Sequence, residues 1–374
     1  MGWAGWLLGG AGTAAVFLMI ESLYFGTLLR RESERTLGLG YFGLSADQRA
    51  AYRRRLRLHA QLLRPFLRLI GSFSKLDFKQ ATFRFRGVGG PRGSCSPASF
   101  ARGADYRPDS SDVIVATQMK CGTTWMQHLV YQILMRGRGD LVETGTALYA
   151  VSPWLEGLRS VSVEDAPLIG AERPSRIIKT HFPAALCPWT AQARYIYVAR
   201  HPVSCFASCV DFVAGNAGVF APPLAVLETW FRSDLMWWGT WPDHVKGWWD
   251  LAAAHDNVLV LFFEDMKHDL AAVTRRVAEF LGVAPLTDAE VAEVTRKCGF
   301  DYMQANQVSF EMHPPQLLQV GAEMFVKGTA DRYQDVPDEV RVRVAARVAA
   351  EMVSSSFPLG ARYPDVAGAG RPDR

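Results

Sequence analysis

The 374-residue sequence predicts an α/β protein with three α/β/α layers around a mostly parallel central sheet, and a P-loop-like turn after its first strand. Three observations carry this. Four short segments, 112–117 (DVIVAT), 176–180 (RIIKT), 194–199 (RYIYVA) and 258–263 (VLVLFF), are nearly continuously apolar, as strands buried on both faces are. Apolar residues recur at helical spacing between and after them. The segment leaving the first strand packs a Lys, a Gly and two Thr into six residues and runs into a helix. That arrangement points backbone N–H groups at an anion.

Composition supports a sizeable core: 49% of residues are hydrophobic and 21% charged, which excludes a disordered or low-complexity chain. The net charge of +4 is unevenly spread. Residues 26–92 hold fifteen Lys and Arg against four acids, a net of +11; with Glu21 ahead of them, this leaves 93–374 at −6. No nucleic-acid recognition module matches the basic run, so nucleic acid is not an expected partner.

The elements follow in order. Residues 2–20 contain no charge, and Trp3, Trp6, Tyr24 and Phe25 lie toward the two ends, as interfacial anchors would. About 20 apolar residues span a bilayer, and no Lys or Arg precedes the run, which argues against a cleaved signal. Residues 1–25 are therefore expected to form a transmembrane anchor. Arg30, Arg31 and Arg35 follow it, so the positive-inside rule puts the body in the cytoplasm. Residues 48–70 are amphipathic, with Leu56, Leu63, Leu67 and Ile70 at helical spacing and arginines between them. Such a helix either lies on an anionic membrane or packs on the body. Residues 87–99, rich in Gly, Pro and Ser, read as a linker. The expected organisation is an anchor at 1–25, a basic juxtamembrane region and linker at 26–109, the main domain at 110–363, and a disordered tail at 364–374.

Within the main domain, 126, 129, 130, 133 and 134 mark one helix, and 270, 273, 277, 280 and 281 another. Thr287 and Glu290 form a capping box, and Pro337 suits a helix start with Val340, Val344 and Val348 on one face. The six cysteines show no CxxC pair, which argues against zinc and disulfide frameworks and suits a reducing compartment. No metal site is expected. The six tryptophans in 230–249 read as core and packing residues. His128, His201, His244, His255 and His313 read as structural or exposed.

The loop Thr117-Gln118-Met119-Lys120-Cys121-Gly122-Thr123-Thr124-Trp125 is not a nucleotide-triphosphatase P-loop, because Lys120 precedes the only Gly. Lys120-Cys121-Gly122-Thr123-Thr124-Trp125 resembles the PKSGTTW loop of sulfotransferases that use 3′-phosphoadenosine-5′-phosphosulfate (PAPS). Further similar segments follow in the family's order. Ile178-Lys179-Thr180-His181-Phe182-Pro183 resembles IKTHLP, and 195–200 with Pro202 and Ser208 resembles YVxRxP…S. Residues 241–250 and 258–267 resemble the tryptophan stretch leading to LxYEDMK, and Phe325-Val326-Lys327-Gly328 sits where the family has FxRKG. The resemblance covers about 110–363.

The resemblance implies a PAPS-dependent sulfotransferase acting on a hydroxyl acceptor, small-molecule or lipid-like. Lys120, Cys121, Gly122, Thr123 and Thr124 would hold the phosphosulfate, and Trp125 would pack on adenine. Lys120 and Lys179 would neutralise charge on the transferring group, and His181 would be the general base. Arg200 and Ser208 would bind the 3′-phosphate, with Phe263, Phe310, Lys327 and Gly328 completing the site. Three departures weaken cofactor contacts. Phe263 replaces a Tyr, Val308 loses the Thr hydroxyl of TSF, and Val326 replaces an Arg, for which Arg332 could compensate. They leave open an alternative, a non-catalytic nucleotide-binding or membrane-scaffold protein.

Overall fold

The computed structural model describes residues 40–158, 160–312, 325 and 328–369, with Thr13, Val16 and Ile20. Apart from those three residues the expected anchor at 1–25 lies outside this set, as do His313, Val326, Lys327 and 370–374. Ser45 opens helix α1 (Ala46–Phe73): its hydroxyl accepts from the Gln48 N–H, and the Gln48 side chain accepts from the Ser45 N–H. An antiparallel hairpin of β1 (Thr82–Phe85) and β2 (Val88–Pro91) follows, then helix α2 (Pro97–Ala104), capped by Ser96.

The stretch 87–99, expected as a linker, is thus folded into the body. Gly90 serves close approach: a Cβ there would stand 2.4 Å from the Phe83 ring and 2.7 Å from Phe100. Phe83 and Phe100 meet edge to face at 4.9 Å between centroids, both buried. A Gly-rich composition signals a backbone free of side chains, which serves tight packing as readily as looseness.

The main sheet has four parallel strands in the order β4-β3-β5-β6, with β3 at Asp112–Ala116, β4 at Arg176–Thr180, β5 at Arg194–Ala199 and β6 at Val258–Phe262. All four strands lie where the apolar runs predicted them. Phe263 belongs instead to a short helical turn, Phe263–His268. Helices flank the sheet: α3 (Thr123–Leu134), α4 (Pro202–Ala217), α5 (Trp241–Ala254), α6 (Leu270–Leu281), α7 (Asp288–Lys297) and α8 (Asp338–Met352). α3 packs with α6 and α7, whereas α5 packs with β6 and α8. The Thr287 capping box opens α7 as expected.

Among the described residues one stretch, Pro202–Phe220, is long and apolar enough to cross a bilayer. Its first half packs in the core, with Cys205, Phe206 and Cys209 fully buried. The tail also differs from expectation. Pro364–Ala369 form a helix whose Val366 is fully buried, and His201 Nε2 meets the Asp365 carboxylate at 3.0 Å, so burial and a hydrogen bond hold it.

The strand order reverses between β3 and β5. In parallel sheets the crevice beyond the strand C-termini at such a point receives ligands. The loop after β3 and Arg200 after β5 both open there.

Candidate active site

The loop between β3 and α3 turns sharply. Lys120 has φ 66° and Gly122 φ 99°, and a Cβ on Gly122 would lie 2.9 Å from the Phe263 ring, so this position requires glycine. No side chain caps α3. Its first N–H groups, from Thr123, Thr124 and Trp125, therefore open onto a cavity of about 920 Å³ that these residues line. The indole of Trp125 is fixed by donation to the Cys298 carbonyl at 2.8 Å.

One end of the cavity is basic. Arg200, 5% exposed, donates to the carbonyls of Lys120 (2.9 Å) and Thr329 (3.5 Å), while its Nε has no partner. Its guanidinium stacks 4.2 Å from the centroid of Phe263, whose ring also meets Trp125 edge-on at 5.4 Å. Phe263 thus keeps the stacking surface of a Tyr and loses only the hydroxyl. Ser208, Gly328 and Arg332 share this wall. Arg332 is held by Asp211 at 2.5 Å and Asp335 at 3.1 Å, so part of its charge is already matched. Desolvation lowers the Lys120 ammonium from its ordinary value, and Arg200 and Arg332 push it the same way.

His181 follows β4 and sits where the basic end meets an apolar one. Its Nδ1 lies 2.9 Å from the Thr117 carbonyl, which can only accept, so Nδ1 carries the proton and Nε2 keeps the lone pair. Burial, then the Lys179 charge, hold the imidazole well below its usual pKa, so the ring is neutral. Its backbone is clamped from both sides. The N–H donates to Glu156 Oε1 at 2.8 Å, and the carbonyl accepts from His244 Nε2 at 2.9 Å, whose Nδ1 accepts from the Tyr197 hydroxyl at 3.0 Å. The fully buried Glu156 also accepts from Thr180 Oγ1 at 2.9 Å.

The apolar end is walled by Trp154, Trp237, Trp238, Phe212, Met119 and Met312. The Trp238 ring stands 4.7 Å from that of His181. Helix α1 closes one side through Arg53, which pairs with Glu311, while Tyr41 donates to the same carboxylate.

The structure brings most of the expected residues to one cavity: Lys120, Gly122, Thr123, Thr124, Trp125, His181, Arg200, Ser208, Phe263 and Gly328 line it. Three do not reach its wall. Lys179 is fully buried behind Trp154, 3.9 Å from the ring centroid, with its Nζ on Met312 Sδ at 3.5 Å. Burial lowers it to about 7, opposed by the Glu156 carboxylate. The Cys121 thiol turns inward to Cys205 Sγ at 3.6 Å. Phe310 is a core residue packed on His128 and Phe325, since a fully buried ring between two others has no free face to offer. Lys327 lies outside the described residues.

Sequence reasoning missed Glu156, Trp154 and the clamp by His244, and it assigned Trp237 and Trp238 to packing alone. The one available signal was a single acid, Glu156, in an otherwise apolar PWLEG segment upstream of β4.

Comparison with known proteins agrees with this geometry. A family model described as "Sulfotransferase domain" matches residues 110–348. Sulfotransferase 1C2 of Rattus norvegicus is 30% identical over 209 residues, covering 54% of this chain and 69% of the relative. Sulfotransferase 2B1 of Mus musculus is 29% identical over 252 residues, 65% of this chain and 71% of the relative. Among solved structures, mouse sulfotransferase SULT7A1 complexed with PAP superposes with a TM-score of 0.60 at 20% identity, covering 77% of this chain and 99% of that one. A retinol dehydratase in complex with retinol and PAP gives 0.60 at 18%, covering 76% and 97%. The ordered motifs, the parallel sheet and the family match over 110–348 together assign the chain to the sulfotransferase-domain family.

Proposed function

We propose that the chain transfers the sulfuryl group of PAPS to the hydroxyl of a lipid-like acceptor, with His181 as general base. The observation that carries this is His181 itself. A neutral ring with Nδ1 committed to the Thr117 carbonyl leaves Nε2 as a base, beside the anion loop and at the edge of an apolar arm. The residues present suit a phosphorylated donor: an uncapped helix start, a glycine whose Cβ would crowd the turn, and a buried Arg200 with an unpartnered Nε. PAPS, when bound, supplies the group that is transferred.

The chain's own residues divide the remaining work. Thr123, Thr124 and the first N–H groups of α3 bind the phosphosulfate end, and Arg200 with Ser208 binds the 3′-phosphate. Lys120 neutralises negative charge from the cavity wall, and Lys179 adds its own once the Met312 side chain gives way. His181 Nε2 takes the proton from the acceptor hydroxyl. Trp154, Trp237, Trp238 and Met119 exclude water and orient an apolar acceptor body. Two neighbouring structures, in complex with retinol and with androsterone, concern apolar alcohols of this kind. Residues 1–25 anchor the protein, with the catalytic domain on the cytoplasmic side.

The test is transfer of radiolabelled sulfate from PAPS to a panel of sterols, retinoids and lipid alcohols by the purified full chain. Product with apolar alcohols, lost in His181→Ala and Lys120→Ala, is the expected result. Binding of 3′,5′-ADP by calorimetry without turnover on any acceptor would replace the enzyme by a non-catalytic binding protein.

A further inference from the structure

We infer that helix α1 is a second membrane contact, separate from residues 1–25, that seats on the surface of an anionic bilayer. The helix has two distinct faces. Leu56, His59 and Leu63 are buried against the body, which accounts for one side. The other side carries Leu58, Leu62, Leu69 and Phe73, exposed by 55, 54, 62 and 86%. At about 100° per residue these four fall within a wedge of about 60°, so they form one continuous apolar stripe. Nothing among the described residues covers it.

Charge selects the occupant. Arg54, Arg57, Arg64 and Arg68 are all exposed and run along one flank of the stripe. Among the described residues no carboxylate pairs with any of the four, and Asp47 is the only acid in the helix. A protein partner would have to match an apolar stripe and a row of cations at once. The headgroup boundary of an anionic leaflet presents both phases in that order. Chain connectivity agrees, because 25 residues separate the helix from the charge-free run 2–20. Val16 and Ile20, described residues of that run, are themselves 52% and 57% exposed. The opposite side of α1 supplies Arg53 to the cavity wall, beside Glu311 and Met312. Seating the helix would hold the apolar arm at the bilayer surface, where a lipid-like acceptor resides. The membrane contact itself does not rest on the transferase reading.

The experiment uses the full chain in vesicles, where residues 1–25 hold the protein at the bilayer whatever its composition. The six native cysteines are buried, so Leu62→Cys or Leu69→Cys directs an environment-sensitive dye to α1. The expected result is a blue shift, with quenching by brominated lipid, on phosphatidylserine-containing vesicles and several-fold less on neutral phosphatidylcholine. Changing Arg54, Arg57, Arg64 and Arg68 to Gln should lower the anionic-vesicle signal several-fold, to the level seen on neutral vesicles. A dye at Val342→Cys on α8, an exposed position far along the chain, should stay in water. A dye on α1 that remains in water on anionic vesicles, or responds equally on neutral ones, overturns the inference. Shielding already present without lipid would mean self-association and overturns it too. Loss of sulfate transfer alone would leave these readouts unmoved.

Discussion

Replacing Glu156 by Gln tests whether the buried carboxylate tunes the active-site charges. Its two oxygens accept from the His181 N–H at 2.8 Å and the Thr180 hydroxyl at 2.9 Å, and its charge supports the Lys179 ammonium. Glutamine offers one accepting oxygen for two donors, so one buried donor loses its partner, at about 1–3 kcal/mol. Denaturant unfolding should register that loss. The electrostatic effect has a definite sign. Burial already lowers Lys179 to about 7, and Glu156 is the largest influence raising it. Without the carboxylate the folded pKa falls further, and the charged lysine survives only at lower pH. The alkaline limb of kcat/KM, which reports the free enzyme, should therefore move acidward by at least about one unit, equivalent to about 1.4 kcal/mol. The assay is sulfate transfer at subsaturating PAPS between pH 5 and 9, with wild type and Glu156→Gln side by side. A folded variant with an unmoved alkaline limb would refute the coupling, whatever its rate.

Four further outcomes are expected. His181→Asn should lower kcat by about 10²–10⁴-fold, and wild-type activity should persist below the ordinary imidazole range, because burial keeps His181 neutral there; a pH–rate profile checks both. Arg200→Ala should weaken 3′,5′-ADP binding by about 1.5–3 kcal/mol, read by calorimetry, since it removes a charged donor and frees the Lys120 and Thr329 carbonyls. Gly122→Ala places a methyl 2.9 Å from Phe263 at φ 99°, so donor affinity should collapse at a cost of about 1–3 kcal/mol while circular dichroism stays native. Burial, first of all, depresses His128 to about 3 and His244 to about 4. Their stabilising contribution is complete above the unfolded imidazole pKa and is lost as pH falls toward the folded values. Tm should therefore drop between about pH 6.5 and 4, and His128→Phe should flatten the drop.

The sequence by itself determined the sheet. Strands buried on both faces must be apolar along their whole length, and the runs at 112–117, 176–180, 194–199 and 258–263 end within a residue of the observed strands. It also determined the loop, because Lys120, Gly122 and the two threonines are local in the chain and their geometry follows from local rules. Tertiary structure decided which of the expected residues face one space. Lys179 and His181 are two residues apart, so they share a side of β4 and its extension, yet the first is enclosed by Trp154 and Met312 while the second reaches the cavity. No periodicity encodes that enclosure, since its walls come from segments over a hundred residues apart. Glu156, His244 and Tyr197 were illegible for the same reason: a clamp on the backbone of His181 exists only once three distant elements pack. The glycines at 89 and 90 make the point in reverse. Their composition signals backbone without side chains, and only their neighbours, Met236 and Thr82 at Gly89 and the rings of Phe83 and Phe100 at Gly90, decide that the space is filled.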